Sequence, residues 1–380
     1  MDQKHRIWLV LVCGILLGAL LLPMQANAET VSRQATGVTS VRSEGELQLG
    51  ERNKQVYKAL KTAVCKIAAG EQTSTQVQLS SGLGLDIWTT TAQNQALRDE
   101  ISYTCANTID KIVRYLLVDC PYEMYWYDKV NGCQYTYKYT VDYAEDGTQS
   151  VTVYGLTVSF AVAQDYAGKR NYTTNPDKIR AAAAVTAYAK EIVKANRDKC
   201  DCEKLLAYKE AVCSLVSYAA DAASGNYAGG YGAPWQMIYV FDCDPATNVV
   251  CEGYAKAFQY LCDMTEFADA NFVCRIVEGT LNDGNGSQTH MWNSVTLHGQ
   301  NYLVDLTNCD SGTIGENGEL FLAGAVQSGT SGKYSITVEG ITLTYQCSTG
   351  TLAMYDTKAL TLAAQNYPYS DHTILQQASQ

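Results

Sequence analysis

Phenylalanine, histidine and basic side chains are all scarce in this chain. Its 380 residues include 6 Phe against 27 Tyr, only 4 His, and 28 Lys plus Arg against 39 Asp plus Glu. The resulting net charge of −11 repels phosphates and anionic headgroups, which excludes nucleic acid as the default partner. Supplying the aromatics as Tyr gives rings with a wet end, suited to solvated sheets and to sugar- or peptide-facing surfaces. Cys-x-x-Cys spacing is absent: the one close pair is Cys200-Asp201-Cys202, with no paired histidines nearby, so neither a metal site nor a cofactor is expected. No repeat of 20–50 residues is visible, and no apolar run beyond the N-terminus is long enough to span a bilayer. What is present, 47% hydrophobic and 18% charged residues, provides ample apolar surface for folding. At roughly 100–200 residues per domain the length suggests two domains.

The N-terminus is organised for export. Lys4, His5 and Arg6 precede an apolar stretch of 16 residues from position 7 to 22, then Pro23 and the small-residue site Ala26-Asn27-Ala28. That layout predicts a signal peptide over residues 1–28 rather than an anchor, because ~18–20 apolar residues are needed to cross a bilayer. Val12 before Cys13 does not suit lipid attachment. The mature chain is therefore expected to be secreted, with no stable membrane insertion. Of 14 cysteines, 13 remain after removal of Cys13. In an oxidising compartment most should pair, and the odd count leaves one thiol over; six disulfides are expected.

Residues 29–50 are polar and aperiodic, and read as a flexible leader. An N-terminal α+β region follows over 51–173. Val56, Leu60, Val64 and Ile67 mark one helix; Ile101, Cys105, Ile109, Ile112 and Leu116 mark a second over about 93–118. Alternation at Tyr135, Tyr137, Tyr139 and Val141, a turn at Glu145-Asp146-Gly147, and its return from Val151 predict a hairpin. The second domain is expected over 174–350, with a tail over 351–380. Asn175-Pro176 opens one helix, Asp201 caps another, residues 224–248 form a Gly- and Tyr-rich surface loop, and a short helix begins at Cys251. Strand patterns follow over 272–280, 290–297, 302–306, 334–338 and 341–345. Helices followed by antiparallel strands indicate an α+β class.

Chemistry converges on Cys251, His290 and Asp305. A thiol opening a helix sits at the positive end of the backbone dipole, beside N–H groups that favour a thiolate and can receive an oxyanion. The competing reading of Cys251 is a disulfide half. His290 begins a strand that puts Trp292 on its face, whereas His298 precedes Gly299 at a hairpin tip and His372 lies in the tail. Asp305 interrupts the apolar run Tyr302-Leu303-Val304-Asp305-Leu306, where a carboxylate needs a partner. Antiparallel pairing across the turn at 298–300 would bring it to His290, although a salt bridge or a backbone cap would also satisfy it.

Three segments carry a resemblance. Val250-Cys251-Glu252-Gly253-Tyr254-Ala255-Lys256-Ala257-Phe258, His290-x-Trp292-Asn293-x-Val295 and Tyr302-Leu303-Val304-Asp305-Leu306-Thr307 resemble, in order and spacing, the motif blocks of the bacterial transglutaminase-like superfamily. The likeness covers roughly residues 182–310; Leu117-Val118-Asp119-Cys120-Pro121-Tyr122 and the Tyr-rich hairpin are similar to the N-terminal region of secreted members. It implies a papain-like core with the nucleophile helix packed on an antiparallel sheet. It also implies Cys251 as nucleophile, His290 as general base and acid, Asp305 orienting His290, a covalent thioacyl intermediate, and no metal. One departure is Asn308 where the pattern has Trp, expected to alter a pocket wall.

The resemblance leaves the acceptor open among an amine, water at a glutamine side chain, and water at a backbone amide. A non-catalytic binding module on the same fold is the alternative class. Trp235 or Gln236 in the loop before Cys251 could supply a second oxyanion donor, or Trp235 and Tyr239 could simply anchor the loop. The acidic surface favours basic protein or peptide substrates, cell-wall peptides among them.

Overall fold

The computed structural model describes residues 9–15, 44–79, 87–223, 235–327 and 332–368. The architecture is α+β and divides into two compact units between Thr186 and Ala187, inside a helix. Among the described residues, no helix is long and apolar enough to cross a membrane.

The first unit contains β1 (Leu9–Ile15), α1 (Glu44–Gln48), α2 (Glu51–Ala68), β2 (Gln76–Leu79), β3 (Ile87–Thr90), α3 (Asn94–Asp119), β4 (Cys133–Tyr143) and β5 (Gln149–Phe160). Its sheet runs β1-β4-β5-β2, with β3 also paired to β5. In the uncleaved chain β1 pairs with β4, Leu9 lying opposite Tyr139. Helix α1 differs from the expectation for its segment. Residues 44–50 are not a flexible leader, because the Gly45 N–H donates to the buried Asp119 carboxylate at 3.0 Å and Leu49 is buried beside it. The earlier part of the leader, 29–43, lies outside the described residues.

Both helical stripes read from the sequence are buried, Val56 to Ile67 on α2 and Ile101 to Leu116 on α3. The hairpin turns through Gly147 at φ +84°, a region glycine enters without a Cβ clash. Tyr135, Tyr137 and Tyr139 form the buried face of β4, alternating with exposed neighbours, opposite Val158, Leu156 and Val153 of β5.

Helix α4 (Pro176–Ala195) starts as expected: the Asn175 side chain accepts from the N–H groups of Asp177 and Lys178. The second unit continues with α5 (Asp201–Leu215), α6 (Ala220–Ala223) and α7 (Cys251–Asp263), then β6 (Val273–Asn282), β7 (Ser287–Leu297), β8 (Gln300–Val304), β9 (Phe321–Ala323), β10 (Val326–Gln327), β11 (Lys333–Val338), β12 (Ile341–Cys347) and α8 (Thr349–Met354). The N-cap of α5 is Cys200, not Asp201; the Asp201 carboxylate instead accepts from the N–H groups of Ala268 and Asp269 at 2.9 and 2.8 Å.

Seven antiparallel strands form the sheet of this unit in the order β10-β11-β12-β6-β7-β8-β9. Helix α7 packs on β6 and β7, with α5 against it. Tyr254, Ala257, Phe258 and Leu261 of α7 are buried, each large apolar side chain contributing about 1.5–3 kcal/mol. The Asn293 side chain on β7 donates to the Ala255 carbonyl at 3.1 Å, fixing the helix to the sheet. Residues 351–368 are not a loose tail: Leu360, Leu362 and Tyr367 are buried, and Ala325 N–H donates to the Ala363 carbonyl at 2.8 Å.

Candidate active site

Two strands and one helix end carry the site. Alternation along β7 points His290 and Trp292 to one side, with rings nearly parallel and centroids 6.1 Å apart. Asp305 immediately follows β8, its N–H donating to the Leu320 carbonyl at 2.9 Å and its side chain completely buried. His290 Nε2 and Asp305 Oδ2 are 2.8 Å apart. The imidazole is also hydrogen-bonded to Cys251. With Nε2 facing Asp305, Nδ1 is the nitrogen left for the sulfur. The three residues singled out from the sequence thus stand in one chain of contacts, thiol to imidazole to carboxylate.

Cys251 opens α7 and is half-buried. The N-cap residue Val250 is extended and makes no side-chain cap bond, so no capping side chain competes for the amides of the first turn. Gly253, two residues on, permits that geometry: a Cβ there would lie 2.4 Å from the Val249 side chain. Glu252, beside the thiol, is neutralised by Lys256 at 2.8 Å, and Trp235 covers that ammonium at 4.9 Å from its ring centre. The negative charge next to Cys251 is therefore compensated within the helix.

Electrostatics favour the imidazolium. Burial alone would depress His290, but the Asp305 charge and hydrogen bond, followed by Cys251, reverse that and push it up to about 10. Burial would raise Asp305, and the His290 charge together with bonds from His290, Asn308 and Tyr345 holds it below the usual carboxylate range.

Two of these partners were not foreseen. Tyr345 on β12 donates to Asp305 Oδ2 at 2.8 Å, and Asn308 Nδ2 donates to the same oxygen at 2.7 Å. Asn308 also lies 3.5 Å from His290 Nε2, so the departure from the Trp of the resembling pattern reaches the carboxylate itself as well as the cavity wall. A supporting aromatic layer holds Tyr345: Trp292 packs edge-on at 5.1 Å and donates through Nε1 to the Tyr334 hydroxyl at 2.7 Å, while Tyr334 stacks on Tyr345 at 5.8 Å. The alternation of residues 341–345 was the available signal for Tyr345, but nothing in sequence spacing tied that strand to Asp305.

A cavity of about 410 Å³ opens at His290. Leu281, Ile341 and Leu343 give it an apolar wall, Asp283 and Gln288 a polar one, and Tyr218 stands in its lining. Burial, then the charges at Cys251 and Asp305, push the Tyr218 hydroxyl up to about 12, so it is a neutral donor at physiological pH. Thr307 Oγ1, also in the lining, is buried without a hydrogen-bond partner.

Of the segment 224–248 expected as a surface loop, 224–234, with Tyr227 and Tyr231, lie outside the described residues. Of the remainder, Met237–Val240 is not surface loop but a buried turn of 3₁₀ helix packed on α7, whereas 243–246 are exposed and irregular as expected. Gln236 is 2% exposed, and neither atom of its side-chain amide has a partner. His298 is apart from the site, its side chain 62% exposed and 3.7 Å from Asp269. No group of three His, Cys, Asp or Glu among the described residues could hold a metal ion. No protein-family model matches this sequence, and no curated protein matches it.

Proposed function

We propose that the protein is a thiol-dependent enzyme of transglutaminase-like type, on a papain-like core, that transfers or hydrolyses acyl groups taken from protein or peptide amides. The observation that carries this reading is the continuous contact from Cys251 through His290 to Asp305, with the thiol at an uncapped helix start. In this reading the Cys251 sulfur attacks the amide carbonyl, and the first-turn amides of α7 receive the developing oxyanion. The imidazolium of His290 gives its proton to the departing amine or ammonia. Asp305, held by Tyr345 and Asn308, keeps the ring oriented. His290 then takes a proton from the acceptor, an amine or water, as it attacks the thioacyl carbon and releases the sulfur. The chain is read as exported after cleavage behind Ala28, and its acidic surface as steering basic protein or peptide substrates to the site.

The test is incubation with a glutamine-containing protein and a fluorescent primary amine. Amine incorporation identifies transfer, ammonia release alone identifies deamidation, and new peptide termini identify proteolysis. None of the three, from a protein whose Cys251 alkylates readily, would contradict the substrate class. A Cys251 locked in a disulfide would favour a binding module instead.

A further inference from the structure

Cys251 carries a free thiol in the structure, as do the twelve other described cysteines from Cys65 to Cys347, where pairing into six bridges was expected. Acylation of that sulfur passes through a tetrahedral centre whose oxygen bears a negative charge. The first-turn amides of α7 supply part of what that oxygen needs. The candidates expected for a further donor, Trp235 and Gln236, do not line the cavity at His290. Trp235 lies over the Lys256 ammonium at 4.9 Å, and Gln236 is 2% exposed. Tyr218 does line the cavity, together with His290 and Asn308.

The backbone sets Tyr218 beside the entry to the nucleophile helix. Residues 216–219 connect α5 to α6 and run alongside Asn248 and Val249. The Asn248 side chain accepts from the Ser217 N–H at 2.9 Å. The Val249 N–H donates to the Ser217 carbonyl at 3.4 Å, and the Ala219 N–H donates to the Val249 carbonyl at 3.0 Å. Tyr218 is thus the parallel-bridge partner of Val249, the residue two positions before Cys251. Val249 in turn packs on the first turn of α7, its side chain filling the space that a Cβ on Gly253 would occupy. The Tyr218 ring is 38% exposed, and its hydroxyl makes no hydrogen bond among the described residues. Burial, then the charges at Cys251 and Asp305, push it up to about 12, so the hydroxyl keeps its proton while the thiol and imidazole work. A neutral donor that already feels the charge at Cys251 is placed to stabilise charge developing on the carbonyl bound there.

We propose that the Tyr218 hydroxyl donates to the oxyanion formed at Cys251, making it a catalytic residue beyond Cys251, His290 and Asp305. The Cys251 thiolate forms the S–C bond as the carbonyl π pair moves onto oxygen. Tyr218 donates a hydrogen bond to that oxygen and keeps its proton. When the pair returns to re-form C=O, the C–N bond breaks and the departing nitrogen takes the proton of the His290 imidazolium. The same hydroxyl serves the second tetrahedral centre, formed when the acceptor attacks the thioester carbon. This inference rests on the acyl-transfer reading of the site.

The test compares two reactions of one thiol, in the full chain and in its Tyr218→Phe variant, which keeps the ring and loses the donor. p-Nitrophenyl acetate acylates Cys251 through an oxyanion and releases p-nitrophenolate; the release that Cys251→Ser lacks is the part counted. Iodoacetamide alkylates the same sulfur by displacement at a saturated carbon, where no oxyanion forms. Tyr218→Phe should slow p-nitrophenolate release by on the order of 10²-fold and leave the alkylation rate of Cys251, read by peptide mapping, within about twofold. The loss should be the same at pH 6 and pH 9, because the hydroxyl stays protonated throughout. Equal acylation rates in the two proteins, or acylation and alkylation slowed alike, would overturn the inference and leave the acyl-transfer reading in place. No Cys251-dependent release from wild type would contradict that reading, and the inference with it.

Discussion

Tyr345 and His290 hydrogen-bond the same carboxylate oxygen, Oδ2 of Asp305, each at 2.8 Å. With the Asn308 amide at 2.7 Å, that oxygen is held by donors from three separate segments, and its position fixes the plane of the imidazole. Tyr345 is in this sense a positioning residue. Tyr345→Phe should lower kcat about tenfold with KM little changed, because one buried hydrogen bond of roughly 1–1.5 kcal/mol is lost. Asn308→Ala should act in the same direction, and Asn308→Asp should be more severe, since it sets a second carboxylate beside Asp305.

Cys251→Ser and His290→Ala should each reduce activity by on the order of 10³-fold or more while leaving the fold intact, as groups acting as one unit do. His298→Asn should keep it. His298 sits at φ +51°, a region Asn tolerates, with its side chain in solvent. Steady-state rates and far-UV circular dichroism on the three variants check both halves of this expectation.

The fold was legible where local pattern decides it. The stripes of α2 and α3, the Tyr-rich hairpin, the Asn175-Pro176 start and the strands around His290 follow from periodicity and turn chemistry. Less legible were features fixed by distant partners. Helix α1 depends on Asp119, 74 positions away from Gly45. The burial of 237–241 depends on α7, and the packing of 351–368 on β6 at its start and on β8 and β9 at Ala363 and Tyr367. The same holds in the site: Cys251, His290 and Asp305 stood out by residue type and spacing, whereas Tyr345 reaches Asp305 only through strand order in a seven-stranded sheet.

His290 also links stability to pH. Its value is raised from 6.5 to about 10 on folding, so its contribution is complete below pH 6.5 and is lost as pH rises through about 10. Asp305, lowered from 3.8, has the opposite sense: its contribution is present above that value and is lost as pH falls through its folded value. Thermal melts should therefore show wild type losing stability between pH 6.5 and 10 relative to His290→Gln. A constant difference across that window would contradict the assigned electrostatics.

Gly279→Ala should destabilise the second unit by about 2–4 kcal/mol. A Cβ at this β6 position would lie 2.0 Å from the Gln346 carbonyl oxygen and 2.8 Å from the Trp292 ring, so β12, and Tyr345 with it, must move away. Urea melts measure the loss, and activity should fall further than stability alone explains.

Reactivity that runs against exposure tests the central claim most directly. Cys200 and Cys243 are exposed, whereas Cys251 is only half-buried but is paired with His290 at a helix start. The protein is treated with limiting iodoacetamide at pH 6 without reductant, and the modified peptides are mapped over time. The account predicts that the first carbamidomethyl group appears on Cys251 and that His290→Ala abolishes this preference. Labelling of Cys200 and Cys243 ahead of Cys251, or a Cys251 recovered in a disulfide, would contradict it.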